Sequence, residues 1–133
     1  MGANQTILLV QPDPGARTLI AFMLQKLGFT VLEARTGAEA MGCYEAAGGN
    51  VDLLFTEVSM PRMNGHELAA TLASQNPGMR VLYVSDGDYA RLARRVLGQK
   101  GMVFLIRPFT MKGMAAKLQE VLESRPKVMT AGH

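Results

Sequence analysis

Short apolar runs and amphipathic segments alternate along the whole chain. The apolar runs are TILLV (6–10), TVLEA (30–34), DLLF (52–55), RVLYV (80–84) and MVFLI (102–106). Their length and nearly continuous apolar character are typical of strands that are buried on both faces. The pattern therefore predicts five buried β-strands.

Each apolar run is followed by a segment whose apolar residues recur at steps of three and four, the spacing of an amphipathic helix. After the first run, for example, Leu19, Ile20, Met23, Leu24 and Leu27 keep this spacing until Gly28. The predicted helices cover about 16–27, 38–47, 65–75, 88–97 and 111–124. Because crossover helices bury parallel strands from both sides, the alternation predicts one α/β domain over residues 1–124, followed by a tail over 125–133.

Composition and charge narrow the function classes. The chain has 133 residues, 48% of them hydrophobic and 19% charged, and a formal net charge of +3. No apolar run approaches the roughly 20 residues of a membrane helix. A single cysteine, Cys43, cannot form an internal disulfide, which indicates a reducing compartment. We expect a soluble cytoplasmic protein with no membrane contact, and the modest charge does not indicate nucleic-acid binding.

Polar residues stand where the predicted strands end. They are Gln11, Pro12, Asp13, Glu57, Ser85, Asp86 and Arg107. In open parallel sheets the functional site lies outside the carboxyl ends of the strands, so these residues are the candidate site. The segment QPDPGAR after the first strand matches neither glycine-rich phosphate loop, which argues against a nucleotide-binding enzyme.

Three segments carry a resemblance to a known family. DLLFTEVSMPRMNGHEL, VLYVSDG and FLIRPFT occur in the order and spacing of a response-regulator receiver domain, the CheY-like module of bacterial two-component signalling. The chain resembles this family over residues 6–124, and residues 52–109 are similar to receiver segments of hybrid sensor kinases. The resemblance implies a flavodoxin-like, doubly wound, three-layer α/β/α fold with strand order 2-1-3-4-5, and a signalling role in a phosphorelay.

The resemblance also implies a chemistry from which this chain departs. Family members transfer a phosphoryl group from a histidine kinase to an aspartate at the end of strand three. They use Mg²⁺ held by an acidic pair, a Ser or Thr after strand four, and a Lys after strand five. Ser85 keeps the family's residue type, and Phe104 falls where a switching aromatic often stands. The other matched positions are occupied by Glu57 for the acceptor, Gln11 and Pro12 for the acidic pair, and Arg107 for the lysine.

These departures predict a receiver that is not phosphorylated. Gln11 offers Mg²⁺ one neutral oxygen and Pro12 offers no side-chain ligand, which leaves Asp13 as a weak metal candidate. We therefore expect no cofactor. Arg can hold a carboxylate with two parallel hydrogen bonds, so Glu57, Ser85 and Arg107 are expected to form a fixed polar cluster. The predicted protein is a pseudo-receiver that acts through protein contacts and is not an enzyme.

Three alternatives stay open at this point. Glu57 could reach toward Ser85 and imitate a phosphorylated aspartate. The receiver could still be phosphorylated at an unusual acceptor. The third alternative is an enzyme that uses Ser85 or Arg107.

The candidate partner face is basic. Arg91, Arg94, Arg95 and Lys100 lie on or just after the fourth helix, where they form either a solvated face or a contact surface. The resemblance favours a histidine kinase or an effector as partner, or a homodimer through the face of helix four, strand five and helix five. His66 begins an HEL segment without the second histidine of a zinc motif, because Ala70 stands there. We expect His66 to be exposed.

Overall fold

The computed structural model describes residues 2–97 and 102–123. Lys100 and the predicted tail 125–133 lie outside the described residues. Strands and helices alternate as predicted: β1 (Thr6–Val10), α1 (Pro14–Lys26), β2 (Thr30–Ala34), α2 (Gly37–Ala46), β3 (Leu53–Glu57), α3 (Gly65–Ala73), β4 (Arg80–Ser85), α4 (Gly87–Leu97), β5 (Phe104–Ile106) and α5 (Met111–Glu123).

The strands form one parallel sheet in the order β2-β1-β3-β4-β5. This order confirms the predicted doubly wound sheet. Because β3 lies between β1 and β4, its last residue is at the centre of the carboxyl edge of the sheet.

The core has two halves, one on each face of the sheet. On one face Leu8, Val10 and Leu54 pack with residues of α2, α3 and α4. On the other face Ile7 and Leu9 pack with residues of α1 and α5. Neighbouring strand residues thus alternate between the two halves, as period-two side-chain geometry requires. The three-layer α/β/α prediction is confirmed.

The two largest differences between the predicted and observed strand boundaries both follow from pairing. We predicted that the third strand would end at Phe55, but β3 continues to Glu57, which is paired in register with Val84. We predicted that the fifth strand would begin at Met102, but β5 covers only Phe104–Ile106. β5 is an edge strand that pairs with β4 alone, so fewer of its residues are held in the sheet.

The first helix begins earlier than predicted because of its cap. Asp13 is the N-cap of α1, and its Oδ2 accepts a hydrogen bond from the Ala16 amide at 2.7 Å. Pro14 occupies the first helical turn, where its missing N–H costs nothing. The sequence QPDP therefore turns the chain sharply from β1 into α1.

Candidate functional site

Glu57 occupies the last position of the central strand. It is 8% exposed, and every residue of β3 is buried. The loop after β3 returns close to it, because the Gly65 amide donates to the Val58 carbonyl at 2.8 Å. A Cβ on Gly65 would lie 2.6 Å from the Glu57 carbonyl oxygen, so glycine is required for this approach. The carboxylate is thus held at the sheet edge by its own strand and by the start of α3.

Arg107 and Glu57 form a two-point ion pair. Nη1 of Arg107 donates to Oε1 of Glu57 at 2.6 Å, and Nη2 donates to Oε2 at 3.0 Å. The side chain of Glu57 is 10% exposed and that of Arg107 is 42% exposed. The pKa of Arg107 is raised, mainly by its hydrogen bond with Glu57. The structure therefore brings together the two charged residues that the sequence suggested as partners.

Gln11 completes the environment of Glu57. Its Nε2 donates to Glu57 Oε1 at 3.0 Å, and its Oε1 accepts from the Asp13 amide at 3.1 Å. The side chain is buried, with the residue 6% exposed. Gln11 thus joins the loop after β1 to the end of β3. The sequence predicts Gln11 at this site and as a poor Mg²⁺ ligand, but it does not predict the contact with Glu57.

Arg17 is a site residue that the sequence analysis missed. Its Nη1 donates to the Gln11 carbonyl at 2.8 Å, and its Nε lies 3.6 Å from Glu33 Oε1. The sequence feature that could have indicated this role is a basic residue in the first turn of α1, close to the end of β1. Arg17 supports Gln11, which in turn contacts Glu57.

Ser85 does not join the cluster in the way we expected. It is 2% exposed, and its hydroxyl donates to the carbonyl oxygen of Asp86 at 3.0 Å. Both oxygens of Glu57 are directed instead to Arg107 and Gln11. The polar cluster is therefore Glu57, Arg107 and Gln11, which we call the Glu57 cluster. Because Ser85 finds its acceptor within its own turn, these contacts do not favour Glu57 as a phosphate mimic bonded to Ser85.

Phe104 is fully buried and lies against Tyr83, with 5.6 Å between the ring centroids. The guanidinium of Arg94 lies 5.3 Å from the centroid of the Phe104 ring. Arg91 is paired with Asp88 one turn earlier, and Arg95 is exposed. Of the three predicted partner-face arginines, Arg94 thus also covers a core aromatic. Lys100 lies outside the described residues.

The residues at the family's metal position do not fit Mg²⁺. Pro12 has no side-chain donor, Gln11 is used by Glu57 and Asp13, and the Asp13 carboxylate caps α1. No group of three or more His, Cys, Asp or Glu side chains that could hold a metal occurs in residues 2–97 and 102–123. Mg²⁺ needs anionic oxygens in near-octahedral geometry, and the carboxylate of Glu57 is already paired with a cation.

His66 is not exposed as we expected. Its ring lies 4.7 Å from that of Tyr83 and 6.0 Å from that of Tyr89, measured between centroids. Its Nε2 is buried. The prediction was wrong because the ring of His66, the second residue of α3, contacts Tyr83 of β4 and Tyr89 of α4.

Comparison with known proteins identifies the family. A model of the response regulator receiver domain matches residues 7–119. The chain belongs to this family. The chain is 33% identical over 125 residues to the sensor kinase CckA of Brucella abortus (strain 2308), in a match covering 94% of the chain and 13% of that kinase. It is 30% identical over 104 residues to the two-component response regulator-like protein PRR73 of Oryza sativa subsp. indica, covering 77% and 14% of the two chains.

Solved structures agree with this assignment. The receiver domain from the hybrid histidine kinase CckA superposes with a TM-score of 0.73 at 29% identity, covering 89% of the chain and 99% of that domain. A receiver domain protein from Clostridium thermocellum superposes with a TM-score of 0.78 at 19% identity, covering 89% and 94%, and supports the fold alone. The resemblance and fold class predicted from sequence are confirmed. Among the described residues, no helix has both the length and the apolar character to cross a bilayer.

Proposed function

We propose that this receiver domain signals through protein contacts without phosphoryl transfer and without Mg²⁺. The observation that supports the proposal is the Glu57 cluster, in which both carboxylate oxygens of the acceptor position are engaged by Arg107 and Gln11. The domain would act as a fixed module of a two-component pathway. The cytoplasmic location stays a prediction.

Nucleophilic attack by Glu57 would require it to leave its partners. A phosphoryl acceptor must present one free oxygen in line with the leaving group, and both oxygens of Glu57 accept hydrogen bonds. The extra methylene of glutamate also moves the carboxylate by about 1.5 Å relative to aspartate. Since a misplacement of about 1 Å can slow such a reaction about a hundredfold, Glu57 is a poor acceptor on two grounds.

Charge balance gives a second argument. In the family's usual site a divalent cation offsets an excess of carboxylates, as the resemblance implies. Here the negative charge of Glu57 is matched by the positive charge of Arg107 in a two-point contact, and Gln11 adds a neutral donor. The guanidinium thus provides the cation that this site needs. A metal ion would have to displace it and would gain few anionic ligands in return.

The enzyme alternative finds little support in the same contacts. The Ser85 hydroxyl is buried and bonded to a backbone carbonyl, and a nucleophilic serine needs an adjacent general base. Arg107 is committed to Glu57. We therefore retain a non-enzymatic role in the proposal.

Receiver domains interact with histidine kinases and effectors, and we propose that α4 provides the contact face here. Leu92 is 53% exposed and is flanked by the exposed Arg91 and Arg95. An apolar side chain bordered by cations suits a partner with an apolar anchor and carboxylates around it. Substituting Arg91, Arg94 and Arg95 and measuring self-association by sedimentation tests whether this face forms a homodimer. Self-association that is lost on substitution would indicate a homodimer, and self-association that the substitutions do not change favours a contact with a different protein.

A Mg²⁺ titration of the whole chain tests the metal-independent part of the proposal. The melting temperature and the backbone amide chemical shifts in NMR spectra are followed as the Mg²⁺ concentration is raised to about 10 mM. A ligand that binds the folded state must stabilise it and raise the melting temperature. We expect no saturable change. A variant with Gln11→Asp, Pro12→Asp, Glu57→Asp and Arg107→Lys is the positive control and should be stabilised. Saturable shifts at Gln11 and Asp13 in the natural chain would overturn the proposal.

A further inference from the structure

Four aromatic rings contact one another in series between α3, the sheet and α4. His66 of α3 lies between Tyr83 of β4 and Tyr89 of α4, with centroid distances of 4.7 and 6.0 Å. Tyr83 in turn packs on Phe104 of β5 at 5.6 Å. Because Tyr89 belongs to α4, the ring of His66 is one of the contacts that hold this helix against α3 and the sheet.

The central ring carries an unpaired buried nitrogen. In the part of the chain that the structure describes, His66 Nε2 is the one buried side-chain nitrogen or oxygen without a hydrogen-bond partner. A neutral imidazole can leave this atom as an unprotonated lone pair facing the rings. An imidazolium carries an N–H at both ring nitrogens, so protonation would place an unsatisfied charged donor there.

Among the described residues, no group forms a hydrogen bond with this nitrogen. His66 is the second residue of α3, where the positive end of the helix dipole disfavours a cation. On the same helix, Glu67 accepts from the Asn64 amide. Five charged groups lie on or next to α4. Asp86 accepts a hydrogen bond from the Tyr89 amide, and Asp88 pairs with Arg91. Arg94 lies over the ring of Phe104, and Arg95 is exposed.

We propose that His66 is a proton-sensitive latch for α4: the neutral ring holds Tyr89 in place, and protonation releases Tyr89 and loosens the helix. Burial lowers the pKa of His66 below its ordinary value of about 6.5. A histidine whose pKa is lower in the packed state than in the released state leaves the packed state at full stability when the pH is above the ordinary pKa. The packed state loses stability as the pH falls below that ordinary pKa. The observations behind the latch do not depend on the phosphoryl chemistry, and the helix that the latch would loosen is the one proposed as the contact face.

The titration of His66 is the direct test. The chain has two histidines, His66 and His133, so a His133→Asn variant leaves one imidazole signal to follow by NMR. We expect His66 to titrate below the value found for His133 in the unmodified chain. A pKa at or above about 6.5, as a favourable cation–π contact with the two tyrosines would give, would overturn the proposal.

Hydrogen exchange tests the release of the helix. Amides of residues 87–95 are compared with those of α1 at about pH 7.5 and about pH 5, after correction for intrinsic exchange. In the natural chain, exchange of α4 should rise several-fold at the lower pH relative to α1, and in His66→Phe it should not. An equal rise in both proteins, or none in the natural chain, would contradict the latch. If His66→Phe does not fold, the titration still decides the question.

Discussion

At the scale of single residues, the site is determined by what surrounds the carboxylate of Glu57. Two donors from Arg107 and one from Gln11 converge on it, while its own strand holds its backbone. At about 4 Å and an effective dielectric of about 20, a charge pair attracts with roughly 4 kcal/mol, much of which is cancelled by desolvation. The pair therefore fixes geometry more than it adds stability.

The two halves of the ion pair should respond differently to substitution. Arg107→Met leaves a carboxylate that is 10% exposed with Gln11 as its remaining side-chain donor, and should lower the free energy of unfolding by about 2 kcal/mol. Glu57→Gln leaves a cation that is 42% exposed and should cost about 1 kcal/mol. Urea denaturation measures both.

Arg91→Met is the matched control for Arg107→Met. It breaks the exposed pair with Asp88, whose side chains are 69% and 91% exposed, and should change stability by less than about 0.5 kcal/mol. Equal losses for the two arginine variants would show that Glu57 is not held in the way described.

Which residues form the site was only partly predictable from sequence. The pairing of Glu57 and Arg107 was predictable because both residues lie at strand ends on the same edge of the sheet and have opposite charges. The bridging role of Gln11 and the support from Arg17 depend on side-chain directions after the turn at Pro12, which residue types do not specify. For the same reason we expected an exposed His66, since only its ring contacts with Tyr83 and Tyr89 show that it is partly buried.

At the scale of elements, the periodic pattern predicted every strand and helix in the described chain, because strand and helix periods differ strongly. The ends were less predictable. β3 extends to Glu57 because β4 pairs with it, and β5 is short because it lies at the edge. Both effects come from neighbouring strands, which a local pattern does not contain.

The start of α1 provides a test of the role of Asp13. Because its carboxylate caps the Ala16 amide, Asp13→Ala should lower the free energy of unfolding by about 1 kcal/mol. Asp13→Asn keeps an acceptor oxygen and should change it by only a few tenths. Thermal or urea unfolding without metal measures the difference. If asparagine is as harmful as alanine, the charge of Asp13 matters for something other than the cap.

The start of α3 provides a test of the close loop. Gly65→Ala places a Cβ 2.6 Å from the Glu57 carbonyl oxygen, and the resulting shift should cost about 2 kcal/mol. Gly42→Ala is the control, because a Cβ added at Gly42 would meet no heavy atom within 4 Å apart from its chain neighbours and the backbone of its own helix. In the middle of α2 this change should instead stabilise the protein by about 0.5 to 1 kcal/mol. A neutral Gly65→Ala variant would contradict the close approach.

At the scale of the whole molecule, the chain combines an ordinary receiver fold with an altered site. The fold and family were predictable because they rest on many positions across the chain. The partner is not predictable in the same way. Arg91 and Arg94 make contacts within the domain. The remaining exposed side chains of α4 indicate what kind of surface a partner would present, but they do not identify a particular protein.

The most direct test of the central claim is incubation of the whole chain with acetyl phosphate and Mg²⁺, followed by intact-mass measurement. We predict no phosphorylated species, because both oxygens of Glu57 accept hydrogen bonds from Arg107 or Gln11 and because we propose that the site holds no Mg²⁺. The variant with Gln11→Asp, Pro12→Asp, Glu57→Asp and Arg107→Lys is the positive control and should gain a base-labile phosphate. A stoichiometric, base-labile phosphate on Glu57 or Asp13 of the natural chain would contradict the account.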